Sequence, residues 1–148
     1  DNIDGKIEIT CHTYEGGLTI QMLGINMSLD FHFEADESLG LENVEAALIR
    51  AGWEEIEFSN GVVIAQAPGF SIHAKRLQAP APIKSEDTKG LCFPVYLHCY
   101  IRRKGADSDD ILQKFLAELE LISNAHFLVS FQLETLVFWR DDSGLHRA

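Results

Sequence analysis

Apolar and polar residues alternate along several short stretches of the chain, each about as long as a β-strand. These stretches are 6–10, 18–23, 27–34, 54–58, 62–67, 70–76 and 94–103. A period of two is typical of half-buried strands. Turn residues at Gly16-Gly17 and Asn60-Gly61 predict two hairpins. Residues 127–139 alternate without a Gly, Pro or Asn, which predicts one long final strand because a tight turn would shift the phase.

Two other segments place apolar residues at helical spacing. The first begins near Leu41 and ends before Gly52, a residue suited to a left-handed helix cap. The second begins at 107–110, where acidic residues favour the helix dipole, and ends at Asn124. Its apolar stripe predicts a buried face, formed by Leu112, Phe115, Leu116, Leu119 and Ile122.

The order of these elements predicts an α+β fold. The expected architecture is a two-layer sandwich, in which two helices cover one face of a mainly antiparallel sheet. We expect residues 1–148 to form a single globular domain. Residues 78–93 contain Pro80 and Pro82 and are predicted to be a long exposed loop.

Charge and cysteine usage narrow the classes of function. The formal net charge is −11, which repels nucleic-acid phosphates and favours a basic partner. No apolar run is long enough for a membrane span, and no signal-peptide pattern is visible. We therefore expect neither a nucleic acid nor a membrane as partner. The three cysteines form no CxxC pair, which indicates reduced thiols and a cytoplasmic location.

The polar positions of the strands point to the sheet face that the helices do not cover. Tyrosine and arginine there are typical of protein interfaces, although cross-strand pairing alone also explains such residues. The acidic run around Asp36 and Glu37 could contact a basic partner or be a solvated loop. The predicted partner-binding residues are Asp30, His32, Glu34, Asp36, Glu37, Tyr96, His98, Tyr100, Phe138 and Arg140.

No catalytic signature accompanies these residues. The chain has none of the nucleophile, zinc-protease or phosphate-loop motifs, so we predict no catalytic residue and no cofactor. Cys99 falls on a core face, whereas Cys92 near the 78–93 loop is a candidate reactive thiol. A metal site is the minority hypothesis, with His32, Glu34 and His98 as its ligands.

The acidic balance, the size and the C-terminal stretch SFQLETLVFWRDDSGL resemble the small immunity proteins that bacteria pair with secreted toxins. This resemblance implies a protein that neutralises a cognate toxin, such as a basic nuclease, by occluding its active or substrate-binding site. The alternative is a small-ligand-binding or regulatory domain that uses the sheet face or a pocket beneath the 78–93 loop. A metal-dependent enzyme is third, and homodimer formation is left open.

Overall fold

The computed structural model describes residues 29–106 and 108–148. This part of the chain forms one sheet of eight strands and two helices. The strands are β1 Leu29–Ala35, β2 Glu54–Ser59, β3 Val62–Ala67, β4 Phe70–Ala81, β5 Val95–Arg103, β6 Phe127–Phe131, β7 Thr135–Asp141 and β8 Gly144–Arg147. The helices are α1 Leu41–Ala51 and α2 Asp110–Ile122. The predicted hairpin of 6–10 and 18–23 lies outside the described residues.

Every neighbouring pair in the sheet is antiparallel, in the order β2-β3-β4-β5-β1-β6-β7-β8. Strand β1 is therefore an inner strand between β5 and β6. In its register, His32 lies opposite Tyr100 on β5 and Ser130 on β6, while Glu34 lies opposite His98. Side chains directly opposite each other on one face are close enough to interact, so this register decides which polar groups meet.

Both helices pack on one face of the sheet, which confirms the predicted α+β two-layer architecture. Phe33 is central to that core: its ring is 5.0 Å from the ring of Phe127 and 6.4 Å from the ring of Phe115 on α2. The alternation predicted from the sequence supplies the remaining strand contacts, among them Phe31, Ala35, Val63, Ala65, Ile72, Ala74, Leu97, Cys99, Ile101 and Val129. Among the described residues, no helix is long and apolar enough to cross a membrane.

Two predicted element boundaries are confirmed. Helix α1 ends at Gly52, whose φ of 90° is left-handed and whose N–H bonds to the carbonyl groups of Ile49 and Leu48. The hairpin between β2 and β3 turns at Asn60 and Gly61, with φ angles of 54° and 75°. A two-residue turn in which both central residues have positive φ matches the twist of the two paired strands.

The prediction of one long strand over 127–139 is wrong. The chain turns at Gln132 and Leu133, which take positive φ angles of 55° and 63°, and β7 returns alongside β6. Neither residue is a usual left-handed turn residue, so the sequence carried no turn signal. The turn is held by the Gln132 N–H, which donates to the Asp30 carbonyl oxygen at 2.9 Å. A second turn after Asp141 then adds β8, which extends the sheet beyond the strand predicted to be the last.

The 78–93 segment also differs from its prediction. Strand β4 continues to Ala81, and residues 82–94, here called the strap, cross the sheet face opposite the helices. The strap is packed, because Ser85 and Phe93 are buried. It seals a second apolar cluster, formed by Phe93, Val95, Leu128 and Leu136 with Leu77, Ile83, Leu91 and Trp139 against them. The space proposed for a pocket beneath this loop is therefore filled by side chains.

Candidate functional site

Beyond the strap, the sheet face opposite the helices has a polar surface on β1, β4 and β5 that no helix among the described residues covers. We call it the open face and define it by Asp30, His32, His73, Lys75, His98, Tyr100 and Arg102. These side chains share one face because they alternate with buried core residues along each strand. Their rows run across the sheet: His73, Tyr100 and His32 form one row, and Lys75 and His98 belong to the next.

Two histidines of the open face bond to each other. His32 Nδ1 lies 3.1 Å from His98 Nε2, so one ring donates a hydrogen and the other accepts it. Burial lowers the pKa of both rings. The pKa of His98 falls to about 4 because burial is reinforced by the positive charges of His32, Lys84, Lys75 and His73. Near neutral pH this pair is therefore uncharged and shares a single hydrogen bond.

A second network fixes the other end of the open face. The Tyr100 hydroxyl donates to Asp30 Oδ2 at 2.8 Å, and Arg102 donates to the Tyr100 oxygen at 3.3 Å. The Arg102 Nε atom is also 3.6 Å from Asp30 Oδ1. Asp30 and Arg102 thus neutralise each other, and their side chains are held in place by the tyrosine between them.

Glu34, a predicted partner contact, is sealed inside the molecule. It is 1% exposed and accepts the backbone N–H of Lys84 at Oε2 (2.7 Å) and of Ser85 at Oε1 (3.2 Å). Burial raises its pKa, and the two backbone bonds oppose that rise. The carboxylate therefore anchors the strap to β1 and cannot reach a partner protein, so its assignment as a surface contact is wrong.

The metal hypothesis required His32, Glu34 and His98 to converge. The register does place them side by side, but both oxygens of Glu34 accept hydrogen bonds from the strap, and the histidine nitrogens bond to each other. Within residues 29–106 and 108–148, no group of three or more His, Cys, Asp or Glu side chains has an arrangement that could hold a metal ion.

The remaining predicted contacts are dispersed. Tyr96 lies beneath the Arg76 guanidinium, 5.6 Å from its ring centroid. Phe138 was predicted to be a partner contact, but it is buried in the helix-side core. The turn at 132–133 and the bulge at Val129 and Ser130 place it on that side of the sheet. Arg140 was also predicted to be a partner contact. Its guanidinium donates to the carbonyl oxygens of Ser123 and Ala125, which follow α2, so its side chain does not lie on the open face.

The two predicted acidic contacts, Asp36 and Glu37, differ in whether their carboxylates are available to a partner. Asp36 Oδ1 accepts the N–H of Ser38 at 2.9 Å, and its Oδ2 accepts the N–H of His126 at 3.1 Å. Both oxygens therefore serve the fold, while neighbouring Glu37 is exposed. Only Glu37 of this pair has a carboxylate available to a partner.

A second acidic surface lies along α1 and the edge strand β2. Its carboxylates are Glu42, Glu45, Glu54, Glu55 and Glu57, which are exposed or half-buried. Glu54 and Glu57 lie opposite Gln66 and Ile64, so they belong to the side of β2 that faces away from the helices. Two apolar side chains accompany them, since Ile49 is 59% and Phe58 is 39% exposed. We call this set the α1–β2 surface. The alternation of β2 alone is typical of a solvated strand, and the exposure of Ile49 and Phe58 makes this a mixed apolar and acidic surface.

The described cysteines differ from each other. Cys99 is free and buried in the core, as predicted, and burial raises its pKa. Cys92 is disulfide-bonded. It is therefore not the reactive thiol that its position near the loop suggested.

The fold and the site thus define a two-layer α+β protein with a histidine-containing polar sheet face and an acidic surface on α1 and β2. Comparison with known proteins found no matching family model, no matching curated protein and no matching solved structure.

Proposed function

We propose that this protein binds and inhibits a basic protein, in the manner of an immunity protein that neutralises a toxin. The observation that carries the proposal is the α1–β2 surface, where Glu42 and Glu45 share one face of α1 with the exposed Ile49. The exposed Phe58 and three further glutamates lie on the edge strand β2. An apolar centre with a charged rim is the usual anatomy of a protein interface. Positive charges on the partner would accelerate association and favour the cognate partner over other proteins.

The distribution of charge favours this surface over the open face. Arg50 is the single basic residue among residues 37–57, and its Nε pairs with Glu118 at 2.9 Å. The open face is less acidic, because Asp30 and Arg102 neutralise each other there, the His32–His98 pair is uncharged near neutral pH, and Lys75 adds a positive charge. A basic partner is therefore attracted to α1 and β2, and the open-face residues Asp30, His32, His98 and Tyr100 are not assigned to its binding.

The proposed mechanism is occlusion. Ile49 and Phe58 would enter apolar depressions of the partner, while the glutamates would pair with lysine and arginine residues on the toxin's active or substrate-binding surface. Such a complex blocks the substrate-binding surface without any chemical step, so the proposal assigns no catalytic residue to this chain. Charge-dependent inhibition of this kind weakens as salt screens the attraction.

The cellular location needs a separate proposal. Reduced cysteines were the support for a cytoplasmic location, and the disulfide on Cys92 removes that support. Disulfide bonds persist in oxidising compartments such as the bacterial periplasm, so we propose a location outside the cytoplasm. Alkylation of thiols in intact cells before purification tests this location. Cys92 should stay unlabelled, and labelled Cys92 would indicate that the protein lies in a reducing compartment.

Co-expression with the products of flanking genes tests the inhibitory function. We expect one of these products to arrest growth alone, and growth to resume when this protein is present. The two proteins should co-purify, and their association rate should fall steeply with rising salt. Absence of both protection and a complex for every flanking product would contradict the proposal.

Charge reversal locates the binding surface. The double variant Glu42→Lys with Glu45→Lys should weaken the complex and slow association, because it replaces attraction by repulsion on the face of α1 that carries Ile49. The matched control is Glu134→Lys, an exposed residue in the β6–β7 turn, which should leave affinity unchanged. Equal effects of both variants would show that net charge, rather than this surface, governs binding.

A further inference from the structure

The open face concentrates basic groups in an otherwise acidic protein. Lys75 lies on β4 directly opposite His98 on β5 and is exposed. On the next strand pair, His98 lies opposite Glu34, whose Oε2 accepts the backbone N–H of Lys84 at 2.7 Å. Lys75 and Lys84 therefore approach His98 from different elements, one from the sheet and one from the strap.

Neither lysine has a carboxylate partner within 4.0 Å in the part of the chain that the structure describes. The two nearby carboxylates are already engaged, since Glu34 is buried on strap N–H groups and Asp30 is bonded to Tyr100 and Arg102. Two exposed lysines thus lie near the His32–His98 pair, and no carboxylate of the described residues balances their charge.

We propose that this part of the open face is a binding site for a soluble phosphate-like oxyanion. Lys75 and Lys84 would supply the charge, and ring N–H groups of His98 and His32 would supply directional hydrogen bonds. Side chains opposite each other on paired strands are close enough to act on one ligand. Ammonium and imidazole N–H groups are strong donors to phosphate oxygens. The site is separate from the α1–β2 surface and does not depend on the proposed inhibitory function.

Binding at this site should be coupled to proton uptake. The groups facing His98 are His32 and Glu34 from β1, Lys75 and His73 from β4, Lys84 from the strap and Tyr100 from its own strand. Burial, reinforced by the basic groups among them, lowers the pKa of His98 to about 4. A bound dianion would offset those positive charges, so the pair would take up one additional proton and each ring would then have an N–H free to donate to the anion. Affinity for phosphate should therefore rise as the pH falls.

The test is a titration of inorganic phosphate followed by NMR of the histidine ring protons at about pH 7 and about pH 5.5, a range in which free histidine changes its charge. His32→Gln and His98→Gln variants assign the two resonances. We expect saturable shifts of both rings, with tighter binding at the lower pH. Vesicles containing phosphatidic acid form a second arm, because binding only to vesicles would indicate a lipid headgroup instead of a soluble phosphate.

Substitution of single lysines distinguishes phosphate binding at this site from non-specific electrostatic attraction to the protein surface. Lys75→Gln and Lys84→Gln should each weaken phosphate binding about tenfold, the effect of losing one charge-assisted bond. Lys114→Gln is the matched control, since Lys114 is exposed on α2 and should leave the titration unchanged. Absence of saturable shifts in the wild-type protein, or equal weakening by all three variants, would overturn the proposal.

Discussion

The two faces of β1 are built from alternating residues of the same strand, yet they differ in what determines their structure. On the helix side, Phe31, Phe33 and Ala35 join a single apolar core. On the other side, each polar residue has its own environment: Asp30 bonds to Tyr100, His32 bonds to His98, and Glu34 is buried beneath the strap.

This difference shows that alternation assigns a residue to a face without describing its surroundings. Apolar burial is non-directional and grows with the area removed from water, so residues of suitable size on the core face need no particular partner. Polar groups must find partners of correct geometry when buried. The polar side of β1 is consequently determined by distant segments, above all by the strap and β5.

The largest expected effect lies on the helix side. Phe33→Ala should lower the free energy of unfolding by about 3–5 kcal/mol, because it removes a fully buried ring from between Phe127 and Phe115. The control on the other face is Tyr100→Phe, which keeps the ring and loses the bond to Asp30, at a cost of about 1 kcal/mol. Denaturant unfolding measures both. Similar losses would contradict the distinction between the two faces.

The second prediction is that acidification lowers the free energy of unfolding through His98, on the polar side of the sheet. The pKa of His98 is about 4 in the folded protein against an ordinary value of 6.5, so the unfolded chain binds a proton that the folded chain excludes between these values. The free energy of unfolding should therefore decrease as the pH falls through this range, by up to about 3 kcal/mol.

His98→Gln isolates this contribution. The variant should flatten the decrease, measured by denaturant unfolding at a series of pH values. Glu34 acts in the opposite direction, because its raised pKa makes the folded state take up a proton more readily and adds stability on acidification. An unchanged pH profile in His98→Gln would show that another group is responsible.

The same contrast explains which parts of the structure were predictable. The core positions of β1 and the ends of α1 follow from periodicity and from Gly52, because these are local signals. The strap was predicted as an exposed loop because its apolar residues, such as Ile83 and Leu91, are separated by polar ones without a period. Their burial depends on Leu128 and Leu136, which are distant in sequence.

The candidate site was predictable only in part. His32, His98 and Tyr100 were correctly placed on one face, but their contacts depend on the strand order β5-β1-β6, which no local pattern encodes. Phe138 was misplaced because Gln132 and Leu133 form a left-handed turn without glycine or asparagine. In that case tertiary pairing overrode the local preference of the backbone.

The third prediction tests whether Glu34 holds the strap. Glu34→Gln replaces one acceptor oxygen by an NH₂ group facing a backbone N–H, which should cost about 1–3 kcal/mol. The loss should be local, so amide exchange should accelerate at Lys84 and Ser85 while core amides stay protected. Glu37→Gln is the matched control, because Glu37 is exposed two residues after Ala35. Equal acceleration in both variants would contradict the anchoring role.

The smallest expected effect is a gain in stability on the polar side. Ser130 lies opposite His32, is fully buried, and its hydroxyl has no hydrogen-bond partner among the described residues. Ser130→Ala should therefore raise the free energy of unfolding by about 1 kcal/mol, since a buried unsatisfied hydroxyl is removed. Ser85→Ala should have the opposite sign, because the Ser85 hydroxyl donates to the Asp87 carbonyl oxygen at 2.8 Å. Denaturant unfolding distinguishes the pair. A loss of stability in Ser130→Ala would mean that this hydroxyl is satisfied in solution, and that even this position on the polar face depends on a specific partner.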